Sequence, residues 1–227
     1  VNNPTQVPYA KQLIGHFATE LLDEGMKFSP EKGVVAMVND RISAIDEIIS
    51  DQLNAIMHHR EFQELESSWT GLKDMVFGTE TGPKLKLRLL NSKKSELLKD
   101  LEKAVDHDMS ILFKKVYEDE YGTFGGNPFS MIMADYYFSR HPQDIVLLEK
   151  ISKVAASAHA PFVAAADPAL FDMKSFVELG TPRDLSKTFE SAELVTWKAF
   201  RESEDSRYAT LVLPRYAARL PYGSKTS

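Results

Sequence analysis

The stretch Phe129-Ser130-Met131-Ile132-Met133-Ala134-Asp135-Tyr136-Tyr137 decides the fold class. It is apolar for about six residues, too short for an independent helix and typical of a buried strand. Pro142-Gln143-Asp144 then opens a helix that runs to about Ser157, with Ile145, Leu148, Ile151 and Val154 on one face. Proline is well placed there, because the first turn of a helix leaves its N–H groups without partners anyway. A second short apolar run follows at Pro161-Phe162-Val163-Ala164-Ala165-Ala166-Asp167. Strand, helix, strand is the repeating unit of an α/β protein, and a helix over Leu194 to Glu202 with a strand over Tyr208 to Leu213 continues it. The expected architecture is a mixed sheet covered by helices on both faces.

Upstream, Gly122, Gly125 and Gly126 supply the turn that leads into the first strand, since glycine reaches positive φ without steric cost. Asp108 starts a helix with Ile111, Leu112, Val116 and Tyr117 facing inward, and Ser92 resembles an N-cap with Glu96 in the first turns behind it. Lys84-Leu85-Lys86-Leu87-Arg88-Leu89-Leu90 alternates polar and apolar residues and predicts a strand with one wet face. Gly78, Gly82 and Pro83 separate it from a long helical region.

That region opens with an amphipathic helix over Ala10 to Met26 and continues at Ser29-Pro30, a second helix start. Val34, Val38, Ile42, Ile45, Ile49, Leu53 and Ile56 then draw one apolar stripe, and Phe62, Leu65, Trp69, Leu72 and Val76 draw another. Steps of three and four make a seam for a facing helix. Val38, Ile42, Ile45, Ile49 and Leu53 are therefore candidate partner-interface residues, against another chain or against the paired helix. The expected organisation is an N-terminal segment over 1–29, a helical pair over 30–80, an incomplete α/β domain over 81–223 and a tail over 224–227. Val1 in place of Met and the turn-like end mark the chain as an expected fragment.

Charge and composition narrow the chemistry. Lys plus Arg is 27 against 33 for Asp plus Glu, a net charge of −6, so the diffuse positive field that draws nucleic acid or anionic membranes is missing. No cysteine is present, which excludes disulfides, thiolate metal sites and cysteine nucleophiles. The six histidines are scattered, and His58 and His59 lie about 100° apart on a helix. The glycines at 122–126 are not followed by Lys-Ser/Thr or by a helix that could hold a phosphate. No serine-hydrolase elbow occurs. Catalytic, cofactor-binding and metal-binding residues are expected to be none. The alternative is an α/β enzyme or nucleotide-binding domain whose motif is not recognisable. One charge signal remains: Arg201, Glu202, Glu204, Asp205 and Arg207 crowd the approach to the last strand, a density that predicts ion pairs fixing a contact surface.

Several strings together resemble a known family. They are Ile56-Met57-His58-His59 with Phe62, Leu65, Glu66, Trp69 and Gly71-Leu72; Glu120-Tyr121-Gly122-Thr123-Phe124-Gly125-Gly126; Asp135-Tyr136-Tyr137-Phe138; His141-Pro142-Gln143-Asp144; Ala158-His159-Ala160-Pro161-Phe162; and Phe200 to Tyr208 with Leu213-Pro214-Arg215 and Ala218 to Gly223. From about residue 30 to 223 the chain looks like the large sheath subunit of bacterial type VI secretion, the TssC/VipB family. The resemblance implies a cytoplasmic structural protein that pairs with a small sheath subunit and self-assembles into a contractile tube around an inner tube of hexamers. It also implies an AAA+ ATPase that recycles the contracted sheath. Glu20-Leu21-Leu22-Asp23 is only a superficial candidate for its recognition helix, which is expected to be absent here. Family members are longer, so the second half of the sheath domain is expected to lie outside this chain.

Overall fold

A computed structural model describes residues 4–23, 34–181, 184–217 and 220. The Ser29-Pro30 helix start and the end of the expected Ala10 to Met26 helix lie outside those residues. The chain divides into two compact units, one holding the first two helices and the next helix as far as Glu64, the other running on from Leu65.

In the first unit, α1 spans Val7–Asp23 and α2 spans Val34–Met57. The helix α3, Arg60–Phe77, follows a two-residue break. The apolar positions of α2 recur at helical spacing as expected, yet Ile42, Ile45, Ile49 and Leu53 remain 44–50% exposed.

The second unit is built around α6, Pro142–Ser157, which buries Ile145, Leu147, Leu148, Ile151, Val154 and Ala155. Its ends explain its bounds. Pro142 takes the first position and the His141 ring accepts from Gln143 N–H. At the other end His159 adopts φ 51°, its N–H bonds Ala156 O, and Ala160 N–H reaches back to Ala155 O at 3.0 Å. Those two bonds form a left-handed cap that satisfies the last carbonyls. His159 thus has a capping role.

Against α6 lie three strands, β1 (Ile132–Phe138), β2 (Phe162–Ala166) and β3 (Ala209–Val212), in the order β1-β2-β3. Phe138, Phe162, Ala164 and Ala166 are fully buried on the α6 side, with Ile132, Ala134, Tyr136, Ala209 and Leu211 packed beside them. Both pairings are parallel, so among the described residues the sheet is parallel where a mixed one was expected. Helical connections, α6 between β1 and β2 and α7 (Leu185–Thr188) with α8 (Val195–Glu202) between β2 and β3, return each strand in the same direction. Among the described residues the helical cover is one-sided, where helices on both faces were expected. On the far face Met133 is 62% and Val212 51% exposed, and individual side chains reach in: Ser68 of α3 donates to Asp135, and Arg215 lies 3.8 Å from the Tyr137 ring centroid. The run at 129–137 is therefore a half-buried strand rather than a buried one.

Ahead of the sheet, α4 (Lys94–Lys103) begins where Lys93 N–H donates to the Glu96 carboxylate at 2.8 Å, one residue later than Ser92 suggested. Asp100 on α4 then caps the next helix. Its two carboxylate oxygens accept from Ile111 and Leu112 N–H, while buried Ser110 accepts from Phe113 N–H, all at 3.0 Å. Three orphan donors of α5 (Ile111–Phe113) are satisfied at once. From Lys114 to Tyr121 the helix widens to a π-helix on which Phe113, Tyr117 and Tyr121 stack. Gly126 is required after it, since a Cβ there would sit 2.1 Å from the Glu120 carbonyl oxygen.

The strand expected at Lys84 to Leu90 does not form. A bridge joins Gly82 and Leu85, and among the described residues no ladder continues beyond it. Alternation marks a wet and a dry face but supplies no neighbouring backbone.

Candidate partner surfaces

The five apolar candidates all lie on α2. Ile42, Ile45, Ile49 and Leu53 are exposed and Val38 is half-buried. Ile48, at 60% exposure, and Ile56 widen the same apolar surface. Ile48 stands three residues after Ile45 and is not part of the stripe read from the sequence. Helices that stand on water normally show it a polar face, so an exposed aliphatic surface of this kind is the usual mark of an interaction site.

The five charged candidates share one short region. Arg201 and Glu202 end α8, and Glu204 to Tyr208 form a 3₁₀ turn packed on α6. One ion pair forms among the five, Arg207 to Glu204 at 3.2 Å, with the side chains 66% and 83% exposed. A pair so wet contributes about 0–1 kcal/mol. The Arg201 guanidinium instead lies over the Phe189 ring at 6.0 Å and that of Arg207 over the Tyr208 ring at 5.6 Å. Glu202 and Asp205 make no ion pair among the described residues. The cluster is a turn held mainly by hydroxyls: Ser203 donates to Phe200 O, and Ser206 reaches Ser203 O and Arg201 O.

Two tighter polar networks were not foreseen. Lys94 Nζ lies 2.6 Å from Asp144 and 2.6 Å from Tyr137 O, over the face of Phe138, while Asp144 also accepts from Ser139 N–H and Oγ–H at 2.8 Å. Asp144 could have been noticed as an acid in the first turn of a Pro-initiated helix. The other joins Glu120 to Arg88 and to Asn127 N–H, with Lys86 on the Asn127 side chain at 2.7 Å. No local spacing announces it.

These networks tie elements together. A surface hollow of about 380 Å³ beside Lys94 is lined by Lys93, Ser95, Leu98, Gln143, Asp144 and Leu147, and its one close charge pair is self-neutralising. Burial and the nearby Glu96 and Asp135 charges raise the Tyr136 phenol above its ordinary 10.0, so it stays a neutral donor to Ser92 O. Among the described residues no three acidic or histidine side chains converge as a metal site. No described helix is long and apolar enough to cross a membrane.

Comparison with known proteins bears on the surfaces more than on any pocket. Residues 39–227 match the model of the VipB family, described as EvpB/VC_A0108, tail sheath N-terminal domain. Over 194 residues, 85% of this chain, the sequence is 48% identical to the type VI secretion system sheath protein TssC1 of Pseudomonas aeruginosa. The chain covers 39% of that relative's length. The match takes in most of α2, all of α3 and the whole α/β unit, and on that ground the chain belongs to the VipB family of type VI tail sheath proteins, whose N-terminal domain it carries.

Proposed function

We propose that this chain is the N-terminal part of the large structural subunit of a cytoplasmic contractile sheath, and that it acts by assembly without catalysis. The observation that carries the reading is the family match over residues 39–227. The aliphatic surface of α2 supports it, since a subunit that functions by packing needs such a face. In this reading residues 81–223 belong to the sheath body. Residues 30–80 form a helical pair that docks a small sheath subunit through Val38, Ile42, Ile45, Ile49 and Leu53. The turn bearing Arg201, Glu202, Glu204, Asp205 and Arg207 faces a neighbour in the sheath or the inner tube. Contraction then requires a change between two packings of the same subunits rather than bond chemistry.

The test is co-expression of the full-length protein with a candidate small subunit, read by co-purification and electron microscopy. Regular tubes are expected. Ile45→Asp should retain the wild-type circular dichroism, because the position is exposed, while a charge at the centre of an apolar seam should reduce heterodimer recovery about tenfold or more. Wild-type recovery of the heterodimer by Ile45→Asp would remove α2 from the interface.

A further inference from the structure

The segment from Leu85 to Leu90 has features that its own fold leaves unused. Leu85, Leu87 and Leu89 are 39–70% exposed and alternate with Lys86 and Arg88, with Lys84 preceding. After the Gly82–Leu85 bridge, no backbone N–H or C=O from Lys86 to Leu90 has a hydrogen-bond partner among the described residues.

Beyond Leu85, side chains hold the segment among the described residues. Lys86 bonds Asn127, Arg88 pairs with Glu120 and covers the Phe129 ring at 5.5 Å, and further on Ser92 O and Lys94 Nζ meet Tyr136 Oη and Tyr137 O. Contacts that advance together, 86 with 127, 88 with 129, 92 with 136 and 94 with 137, set this segment running in the same direction as the lead into β1. It is tethered alongside the sheet, and its main chain from Lys86 to Leu90 is unpaired among the described residues.

We propose that Leu85–Leu90 is a docking strand for a segment of another polypeptide that alternates acidic and aliphatic residues. Strand addition takes its affinity from main-chain bonds and its specificity from alternate side chains. Here the alternate side chains are one leucine row and one cationic row. Directly opposite residues in a ladder share a face, so Leu85, Leu87 and Leu89 select aliphatic partners, and Lys84, Lys86 and Arg88 select carboxylates. A second copy of this chain is disfavoured by the same rule. Antiparallel self-pairing about Leu87 sets Lys86 against Arg88, and parallel in-register pairing sets each cation against itself. This inference goes beyond the sheath reading and does not depend on it.

Amide hydrogen exchange and fluorescence anisotropy of the chain test it, with labelled short peptides as probes: one alternating Glu and Val, one alternating Lys and Val, and the Glu-Val peptide carrying a central Pro. The amides of Lys86 to Leu90 should exchange rapidly in the free chain and slow on adding the Glu-Val peptide. The Lys-Val and Pro peptides should bind about tenfold more weakly or worse. Leu87→Pro, which removes an N–H that has no partner among the described residues, should lose Glu-Val binding with circular dichroism unchanged. Protection of 86–90 without peptide overturns the proposal, and protection that grows with protein concentration assigns the strand to a second copy and overturns it too. Equal binding of the Glu-Val and Lys-Val peptides, or undiminished binding by Leu87→Pro, likewise sinks it.

Discussion

Cutting Phe162 back to alanine is expected to remove about 3–5 kcal/mol of folding stability. Phe162 is 2% exposed, opens the central strand and meets the buried Phe138 ring edge-on at 6.0 Å. Its backbone pairs with Ile132 on one side and Ala209 on the other. Clamped between two ladders, β2 cannot slide to fill the space, so most of the cavity persists and its cost adds to the lost transfer energy. Against a typical total of about 5–15 kcal/mol the loss is large. Urea titration of the folded chain reads it as a lower midpoint at unchanged slope. Met133→Ala on the open face serves as the comparison and should stay within about 0.5 kcal/mol. Similar midpoints for the two variants would mean that the α6 side of the sheet is not the core.

The second large effect belongs to Asp144. Asp144→Ala removes one charge-assisted contact to Lys94 and two bonds from Ser139, and among the described residues it leaves the Lys94 ammonium with Tyr137 O and the Phe138 face. Both side chains are mostly shielded, at 28% and 15% exposure, so solvent screens the pair only in part. A loss of about 2–4 kcal/mol is expected. Part of that loss comes from stranding a cation, so Lys94→Met combined with Asp144→Ala should be more stable than the two separate losses predict. Thermal or denaturant unfolding of the four proteins measures the difference. Strict additivity would show that Lys94 and Asp144 do not communicate.

What could be read from the sequence follows the range of each interaction. The helix over Pro142–Ser157 was legible in the sequence, because Pro142 and the apolar spacing of Ile145, Leu148 and Ile151 act within a few positions. The second and third strands were equally clear as short apolar runs. Strand direction was not, because it depends on connections and not on the strands themselves. At Lys84 to Leu90 the alternation was real but a ladder needs a second backbone. The charges at 201–207 were legible as a cluster, yet density cannot tell a paired network from an exposed turn: Arg201 found a ring, Arg207 found Glu204 and Tyr208. Of the candidate surfaces, the α2 stripe was read from its period, while the Lys94–Asp144 and Arg88–Glu120 links required residues far apart in sequence to be brought together.

The ladder between β1 and β2 carries a further consequence. Met133 pairs with Val163 and Tyr137 with Ala165, so β1 spends four steps where β2 spends two. The surplus is even, and side chains alternate with a period of two. A homologue lacking two residues between Met133 and Tyr137 would keep Phe138 inside and Tyr137 outside, with only a straighter strand. Loss of one residue there would exchange the two, sending a phenylalanine to water and a phenol into the core. Length variation at this point should therefore occur in pairs.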